Sequence, residues 1–130
     1  MSGDSFTPRH TPVEINYLQA ERVLEIVWND GVTSRFTAEL LRVESPSAEV
    51  QGHHPSEKKI ISSRRHVGII DINPVGNYAI RIAFDDLHDS GLYSWHFLRD
   101  LHERQDQIWQ NYLAALAARG LSRDPAKPRP

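Results

Sequence analysis

The chain has 130 residues, a formal net charge of −2 and no cysteine. Its length suits one domain with a modest hydrophobic core, and so small a charge does not point to a nucleic-acid or membrane partner. The absence of cysteine excludes disulfides, thiolate metal ligands and a cysteine nucleophile. No apolar run approaches the roughly 18–20 residues that span a bilayer, and no apolar signal segment is present, so we expect a cytoplasmic protein.

The N-terminal third predicts three strands and a short helix. Residues 1–11 are largely polar and contain proline, which predicts a disordered arm. Alternating apolar residues predict a strand over Pro12–Tyr17, and an Asn-Asp-Gly turn inside Arg22–Phe36 predicts a hairpin. We expect Thr37 to cap a helical turn over Ala38–Arg42.

The middle of the chain predicts a loop followed by further strands. Glu44–Glu57 is rich in proline, glycine and small polar residues and is predicted to be loop. Lys58–Ser62 is predicted to be a short edge strand. Two β-branched runs, Val67–Ile72 and Tyr78–Phe84, predict an antiparallel pair around a turn at Asn73–Asn77.

The C-terminal quarter predicts one long helix. Ser94 is a suitable N-cap for a helix over Trp95–Arg119, whose apolar residues recur at spacings of three, four and seven. Gly120 is a typical stop. Residues 121–130 predict a disordered tail, which leaves a single domain at 12–120. The fold class is α+β: a small antiparallel sheet with one long C-terminal helix.

Four blocks of sequence carry a family resemblance. They are Leu24-x-Ile26-x-Trp28-x-Asp30-Gly31, Leu40-Leu41-Arg42-Val43, Pro74-Val75-Gly76-Asn77-Tyr78-Ala79-Ile80, and Phe84 to Leu98, which is FDDLHDSGLYSWHFL. In this order, over roughly residues 12–101, they resemble the gamma-butyrobetaine hydroxylase-like N-terminal domain, a family otherwise described as a domain of unknown function.

The resemblance implies a domain and not a reaction. In the eukaryotic hydroxylases this domain precedes an iron- and 2-oxoglutarate-dependent catalytic domain, assists the dimer, and holds a structural zinc with three cysteines and a histidine. Bacterial members are small stand-alone proteins without an established activity. A similar domain is appended to P-loop scaffold proteins of iron–sulfur assembly.

The chain departs from the zinc pattern that the resemblance implies. The family segment Cys-Pro-Cys-x-x-Cys aligns with Ser45-Pro46-Ser47-Ala48-Glu49-Val50, so the thiolate positions hold Ser45, Ser47 and Val50, and only a histidine, His88, remains. Neutral hydroxyls and a valine cannot replace three thiolates around zinc. The sequence therefore predicts that the family zinc site is lost.

A second metal hypothesis rests on the acidic loop. His88 with Asp85, Asp86 and Asp89 offers an imidazole and carboxylates, which suit iron or manganese. The alternative is a solvated acidic loop with His88 hydrogen-bonded locally. No histidine is followed two residues later by Asp or Glu, so the chain lacks the facial motif of an iron oxygenase.

A basic cluster and one tryptophan are the candidate partner-binding residues. The cluster comprises Lys58, Lys59, Arg64 and Arg65, and Trp109 lies near the edge of the helix's apolar stripe. The cluster suits an anionic or acidic partner, or else is a solvated edge.

These observations favour a non-enzymatic accessory domain that acts through an unknown protein partner and needs no cofactor. The alternative is an iron-binding protein that serves iron-dependent oxygenases or iron–sulfur assembly. The sequence does not decide whether the long helix packs on its own sheet or mediates a homodimer.

Overall fold

A computed structural model of the chain describes residues 10–125, and most of the predicted N-terminal arm and the end of the predicted tail lie outside this range. Within it, two three-stranded antiparallel sheets and three helices form an α+β fold, which confirms the predicted class. The elements are β1 Pro12–Leu18, β2 Val23–Trp28, β3 Thr33–Thr37, α1 Ala38–Val43, α2 Ala48–Gln51, β4 Ile69–Val75, β5 Ala79–Phe84, β6 Leu92–Ser94 and α3 Trp95–Ala118. The prediction of a single sheet was wrong, because the strands divide into β1-β2-β3 and β4-β5-β6.

The first sheet is built on the predicted hairpin. β2 alternates buried and half-buried residues, and its Leu24 lies opposite Phe36 of β3. Trp28 ends β2 and donates its indole N–H to the Ser34 hydroxyl at 2.7 Å, so the ring is buried with its polar atom satisfied. Gly31 takes a φ of 86° in the turn, a conformation that favours glycine.

The second sheet begins later than predicted and contains part of the predicted turn. β4 continues through Asn73 and Pro74 to Val75, and Pro74 lies opposite Ile80. A proline, which has no backbone N–H, is tolerated there because β4 is an edge strand and has no neighbouring strand on its outer side. The turn is therefore shorter than the predicted Asn73–Asn77. Gly76 lies in it with a φ of 54°.

Helix α3 packs on the sheets of its own chain. Ser94 caps it, as predicted, by accepting a hydrogen bond from the Phe97 N–H at 3.0 Å. Leu98 and Leu101 lie in the main core with residues from both sheets. Further along, Tyr112 packs in a smaller cluster around α1. The first two turns of α3 thus close the core beneath both sheets.

Three segments differ from the sequence predictions or extend them. The predicted loop over Glu44–Glu57 contains α2 and a 3-10 turn at Pro55–Glu57. Lys58–Ser62 is not a strand, because its backbone finds no neighbouring strand and bonds instead to α2 through Lys59 N–H and Val50 C=O at 2.7 Å. The start of the predicted tail lies against residues 63–65. No helix of residues 10–125 is both long and apolar enough to cross a membrane.

Candidate functional site

The three positions that replace the family cysteines lie together in the folded chain. Ser45 follows α1, Ser47 occupies the residue before α2, and Val50 lies within α2, where its N–H donates to the Ser47 carbonyl at 3.1 Å. His88 reaches them from the β5–β6 loop: its Nε2 lies 2.9 Å from the Ser45 Oγ and 3.4 Å from the Ser47 Oγ. All four residues are buried, and we call them the serine–histidine cluster.

This cluster has the size of a zinc site but not its chemistry. Zinc ligands in a tetrahedron stand roughly 3.3–3.8 Å from one another, and the Ser45 and Ser47 hydroxyls are 3.3 Å apart. Neutral hydroxyls and the aliphatic Val50 do not supply the charge that three thiolates would. The residues present therefore do not fit zinc, and a hydrogen-bonded network that includes His88 fills the space instead.

The same atoms have the order of a Ser–His–acid triad. His88 Nε2 faces the Ser45 hydroxyl, and its Nδ1 lies 3.4 Å from a Glu49 carboxylate oxygen. Ser45, however, is 0% exposed. Gly91 covers it so closely that a Cβ added there would lie 2.6 Å from the hydroxyl oxygen. A substrate carbonyl cannot approach this oxygen, so the geometry does not support acyl transfer at Ser45.

A buried charge network adjoins the cluster. Asp86 Oδ2 accepts hydrogen bonds from the Nε atoms of Arg42 at 2.7 Å and Arg64 at 2.6 Å. Burial raises the pKa of Asp86, but the two arginine hydrogen bonds, the charge of Arg42 and the His88 N–H together outweigh it, and the pKa falls below its ordinary value. Arg42 Nη1 is the one buried side-chain nitrogen or oxygen of residues 10–125 without a hydrogen-bond partner. Asp86 thus holds a largely buried cation in place.

Asp86 also fixes the neighbouring histidine. Its Oδ1 accepts the His88 backbone N–H at 3.2 Å, which orients the loop toward Ser45. Burial lowers the pKa of His88, and the nearby Arg42 cation lowers it further, so the imidazole is neutral at pH 7. A neutral ring can accept or donate to Ser45, according to its tautomer.

The structure does not bring the four predicted metal residues to one point. Asp86 faces the two arginines, while Asp85 accepts the Gly68 N–H at 3.0 Å. Asp89 is exposed, and His88 faces the serines. Among residues 10–125 no group of three or more His, Asp or Glu side chains is placed to hold a metal ion.

The predicted basic cluster is largely paired within the chain. Lys58 donates to the Glu44 carboxylate at 2.6 Å, and Arg64 is engaged by Asp86. Arg65 pairs with Asp124. Lys59 is exposed. The cluster is therefore a part of the surface whose charges are already balanced, rather than a free basic patch.

Trp109 lies beside the ion pair between Arg123 and the nearly buried Glu39. Its ring centre is 5.2 Å from that of Tyr112, and the Arg123 guanidinium lies 5.0 Å above it. Arg123 also donates to both carboxylate oxygens of Glu39, at 2.7 and 2.9 Å. The site residues predicted from the sequence did not include Glu39, Arg42 and Arg123. For Glu39 and Arg42 a signal existed, since both are charged residues within an otherwise apolar six-residue helix.

Comparison with known proteins agrees with this description. Residues 15–99 match the family described as Gamma-butyrobetaine hydroxylase-like, N-terminal. Two NMR solution structures are similar, one with 43% identity, covering 99% of this chain and 95% of that chain, and one with 42% identity, covering 92% and 94%, both with a TM-score of 0.78. A crystal structure of a protein of unknown function from Acidithiobacillus ferrooxidans ATCC 23270, of the DUF971 family, has 40% identity over 71% of this chain and 92% of that chain, with a TM-score of 0.61.

A search of curated proteins gave no match. The family match covers most of the chain, and it includes both sheets, the serine–histidine cluster and the Arg42–Asp86 pair. The chain therefore belongs to the gamma-butyrobetaine hydroxylase-like N-terminal domain family.

Proposed function

We propose that this protein is a non-catalytic cytoplasmic accessory domain that binds a short segment of a partner protein. The binding surface comprises the backbone of residues 63–65 together with Glu39 and Trp109, and we call it the peptide surface. It includes Arg64, Arg65 and Trp109, which were predicted from the sequence as candidate partner-binding residues.

One observation carries the proposal: the peptide surface already holds residues 122–124 of its own chain. Ser63 N–H donates to the Ser122 carbonyl at 2.9 Å, and Arg65 N–H donates to the Arg123 carbonyl at 3.0 Å. These two bonds are made to backbone carbonyls and so do not depend on the bound sequence, while neighbouring side chains select among sequences. A surface that recognises residues 122–124 in this way is suited to a segment of another protein.

The closed state of the serine–histidine cluster supports a non-catalytic role. Its hydroxyl is inaccessible, and His88 is held by Ser45 on one ring nitrogen and lies close to Glu49 on the other. Asp86 accepts hydrogen bonds from Arg42 and Arg64. These groups stabilise the loop that connects β5 to β6.

The iron-binding alternative has no comparable support, since the carboxylates it requires point to separate partners. Elemental analysis of the purified protein and of His88→Ala tests it. Stoichiometric iron that is lost in the variant would replace the present proposal with a metal-binding function.

The interaction proposal is tested by photo-crosslinking in cells that produce the protein. A photoreactive residue at His66, which is exposed beside the peptide surface, should give a discrete adduct. The same residue at Arg81, which is exposed on β5, is the matched control and should not. The partner is then identified and its affinity for the purified protein is compared with its affinity for Arg65→Pro, which removes the N–H that donates to the Arg123 carbonyl. Equal adducts at positions 66 and 81, or unchanged affinity in the proline variant, would contradict the proposal.

A further inference from the structure

The segment that occupies the peptide surface is Leu121–Pro125, which we call the strap. It follows Gly120, whose φ of 64° ends α3 and turns the chain back. Besides its two backbone bonds to residues 63–65, the strap places one arginine and one aspartate on the domain: Arg123 on Glu39, and Asp124 on Arg65. Its contacts are therefore mainly polar and charged.

Glu39 and Trp109 contact the guanidinium of Arg123, and we call these two residues the cradle. The cradle is specific for a guanidinium. Nε and Nη2 donate to the two oxygens of Glu39 at 2.9 and 2.7 Å, a fork that only arginine can provide. The same planar group lies 5.0 Å over the Trp109 ring. An ammonium can make neither the paired bonds nor the stacked arrangement to the same extent. The carboxylate of Glu39 raises the pKa of Arg123 further, so the cation is permanent.

Glu39 requires a cation at all times. Its side chain is 5% exposed, and among residues 10–125 Arg123 is the ion-pair partner that the structure gives it. A buried carboxylate without a cation is costly, and removing one partner of such a pair is strongly destabilising. A segment that displaces the strap must therefore bring an arginine of its own to the cradle.

Apart from Arg123, the strap is loosely attached. Leu121 is 41% exposed, so it does not anchor the strap in the core. Ser122, Asp124 and Pro125 are also exposed. Segments with few buried apolar contacts open at low free-energy cost. A competitor that reproduces the arginine contact therefore needs little additional affinity to take the strap's place.

We propose that the peptide surface is a receptor for a short partner segment in which arginine is followed directly by an acidic residue, and that the strap is its intramolecular competitor. The arginine enters the cradle of Glu39 and Trp109, the acidic residue pairs with Arg65, and the backbone bonds to residues 63–65. This inference rests on the proposed function and adds the chemistry of the partner.

The test uses a labelled peptide with the sequence Leu-Ser-Arg-Asp-Pro and the full-length protein, with binding followed by fluorescence anisotropy. Arg123→Ala empties the cradle, so it should bind the peptide at least about tenfold more tightly than wild type, which must first release its own strap. Arg119→Ala removes an arginine outside the cradle and should bind like wild type. A peptide with lysine in place of arginine should bind at least about tenfold more weakly to Arg123→Ala, because lysine cannot form the fork.

A second variant covers the case in which Arg123→Ala does not fold. Arg123→Lys keeps a cation beside Glu39 and weakens only the fork, so it should bind the peptide more tightly than wild type. Glu39→Gln in either background should abolish the preference for arginine over lysine. Equal binding of the two peptides, or equal affinity of wild type and the folded Arg123 variant, would overturn the proposal.

The two proposals fail in different ways. A partner that crosslinks at position 66 and binds Glu39→Gln as tightly as wild type leaves an interaction domain without arginine recognition. No partner at position 66, together with tight arginine-dependent peptide binding, leaves the cradle as a purely intramolecular device and removes the proposed function.

Discussion

Asp86→Asn should destabilise the fold more than any other single change in the β5–β6 loop. The substitution removes the carboxylate that pairs with Arg42, whose side chain is 9% exposed. Asparagine retains an acceptor oxygen but no charge, and Arg42 already has one nitrogen without a partner. The variant would thus leave a buried cation uncompensated.

The magnitude follows from the burial of the two arginines. Breaking a buried pair costs about 3–5 kcal/mol, whereas an exposed pair contributes at most about 1 kcal/mol. Arg42 belongs to the first class and the 31%-exposed Arg64 is closer to the second. With part of the hydrogen bonding retained, we expect a loss of about 3 kcal/mol in the free energy of unfolding and a Tm lower by about 10 °C. A loss of this size is a large share of the stability of a small domain.

Urea unfolding followed by tryptophan fluorescence measures the effect. Asp89→Asn is the matched control, since Asp89 is an exposed aspartate in the same loop and should change stability by less than about 0.5 kcal/mol. The double variant Arg42→Met/Asp86→Asn removes the orphaned cation and should regain at least half of the loss. An Asp86→Asn protein as stable as Asp89→Asn, or a double variant no more stable than Asp86→Asn, would refute the reasoning.

The pairing of Asp86 with Arg42 also makes the free energy of unfolding depend on pH. The pKa of Asp86 is lowered from its ordinary 3.8, so the folded state holds the ionised carboxylate more strongly than the unfolded state does. The stability difference between wild type and Asp86→Asn should be complete above this value and shrink as the pH falls below it.

Three further variants probe the serine–histidine cluster. Ser45→Cys/Ser47→Cys/Val50→Cys supplies three thiolates beside His88 and should bind one Zn²⁺, measured by elemental analysis, whereas Ser45→Cys alone should not. Burial lowers the pKa of His88 below its ordinary 6.5, so the unfolded state binds this proton more readily; wild type should lose stability as the pH falls below 6.5, and His88→Asn should flatten that part of the profile. Gly91→Ala places a Cβ 2.6 Å from the Ser45 hydroxyl and should cost about 1–3 kcal/mol in urea unfolding, and an unchanged midpoint would contradict the described packing.

The elements that were predicted correctly are those fixed by neighbours along the chain. The hairpin of β2 and β3 follows from an Asn-Asp-Gly turn between two alternating segments, and Ser94 caps α3 through an N–H three residues away. These signals lie within a few residues of one another, so the sequence displays them directly. The division into two sheets was missed, since strand alternation identifies strands but not their neighbours.

The candidate site was predictable only in part. The family resemblance pointed to Ser45, Ser47, Val50 and His88, and the fold places them together. Lys58–Ser62 was predicted to be an edge strand, but a strand needs a neighbouring strand to pair with, and the local sequence does not show whether one is adjacent.

The sequence by itself determined the class of the fold, the family, and the loss of the thiolates that its zinc site needs. Only the tertiary structure decided which charges meet. Arg42 and Asp86 are separated by 44 residues, and Glu39 and Arg123 by 84. Such pairs depend on how sheets, loops and helix pack, since the chain itself imposes no preference between one distant carboxylate and another. The cradle for arginine exists because folding buries Glu39 beside Trp109 and leaves a guanidinium as the group best suited to balance it.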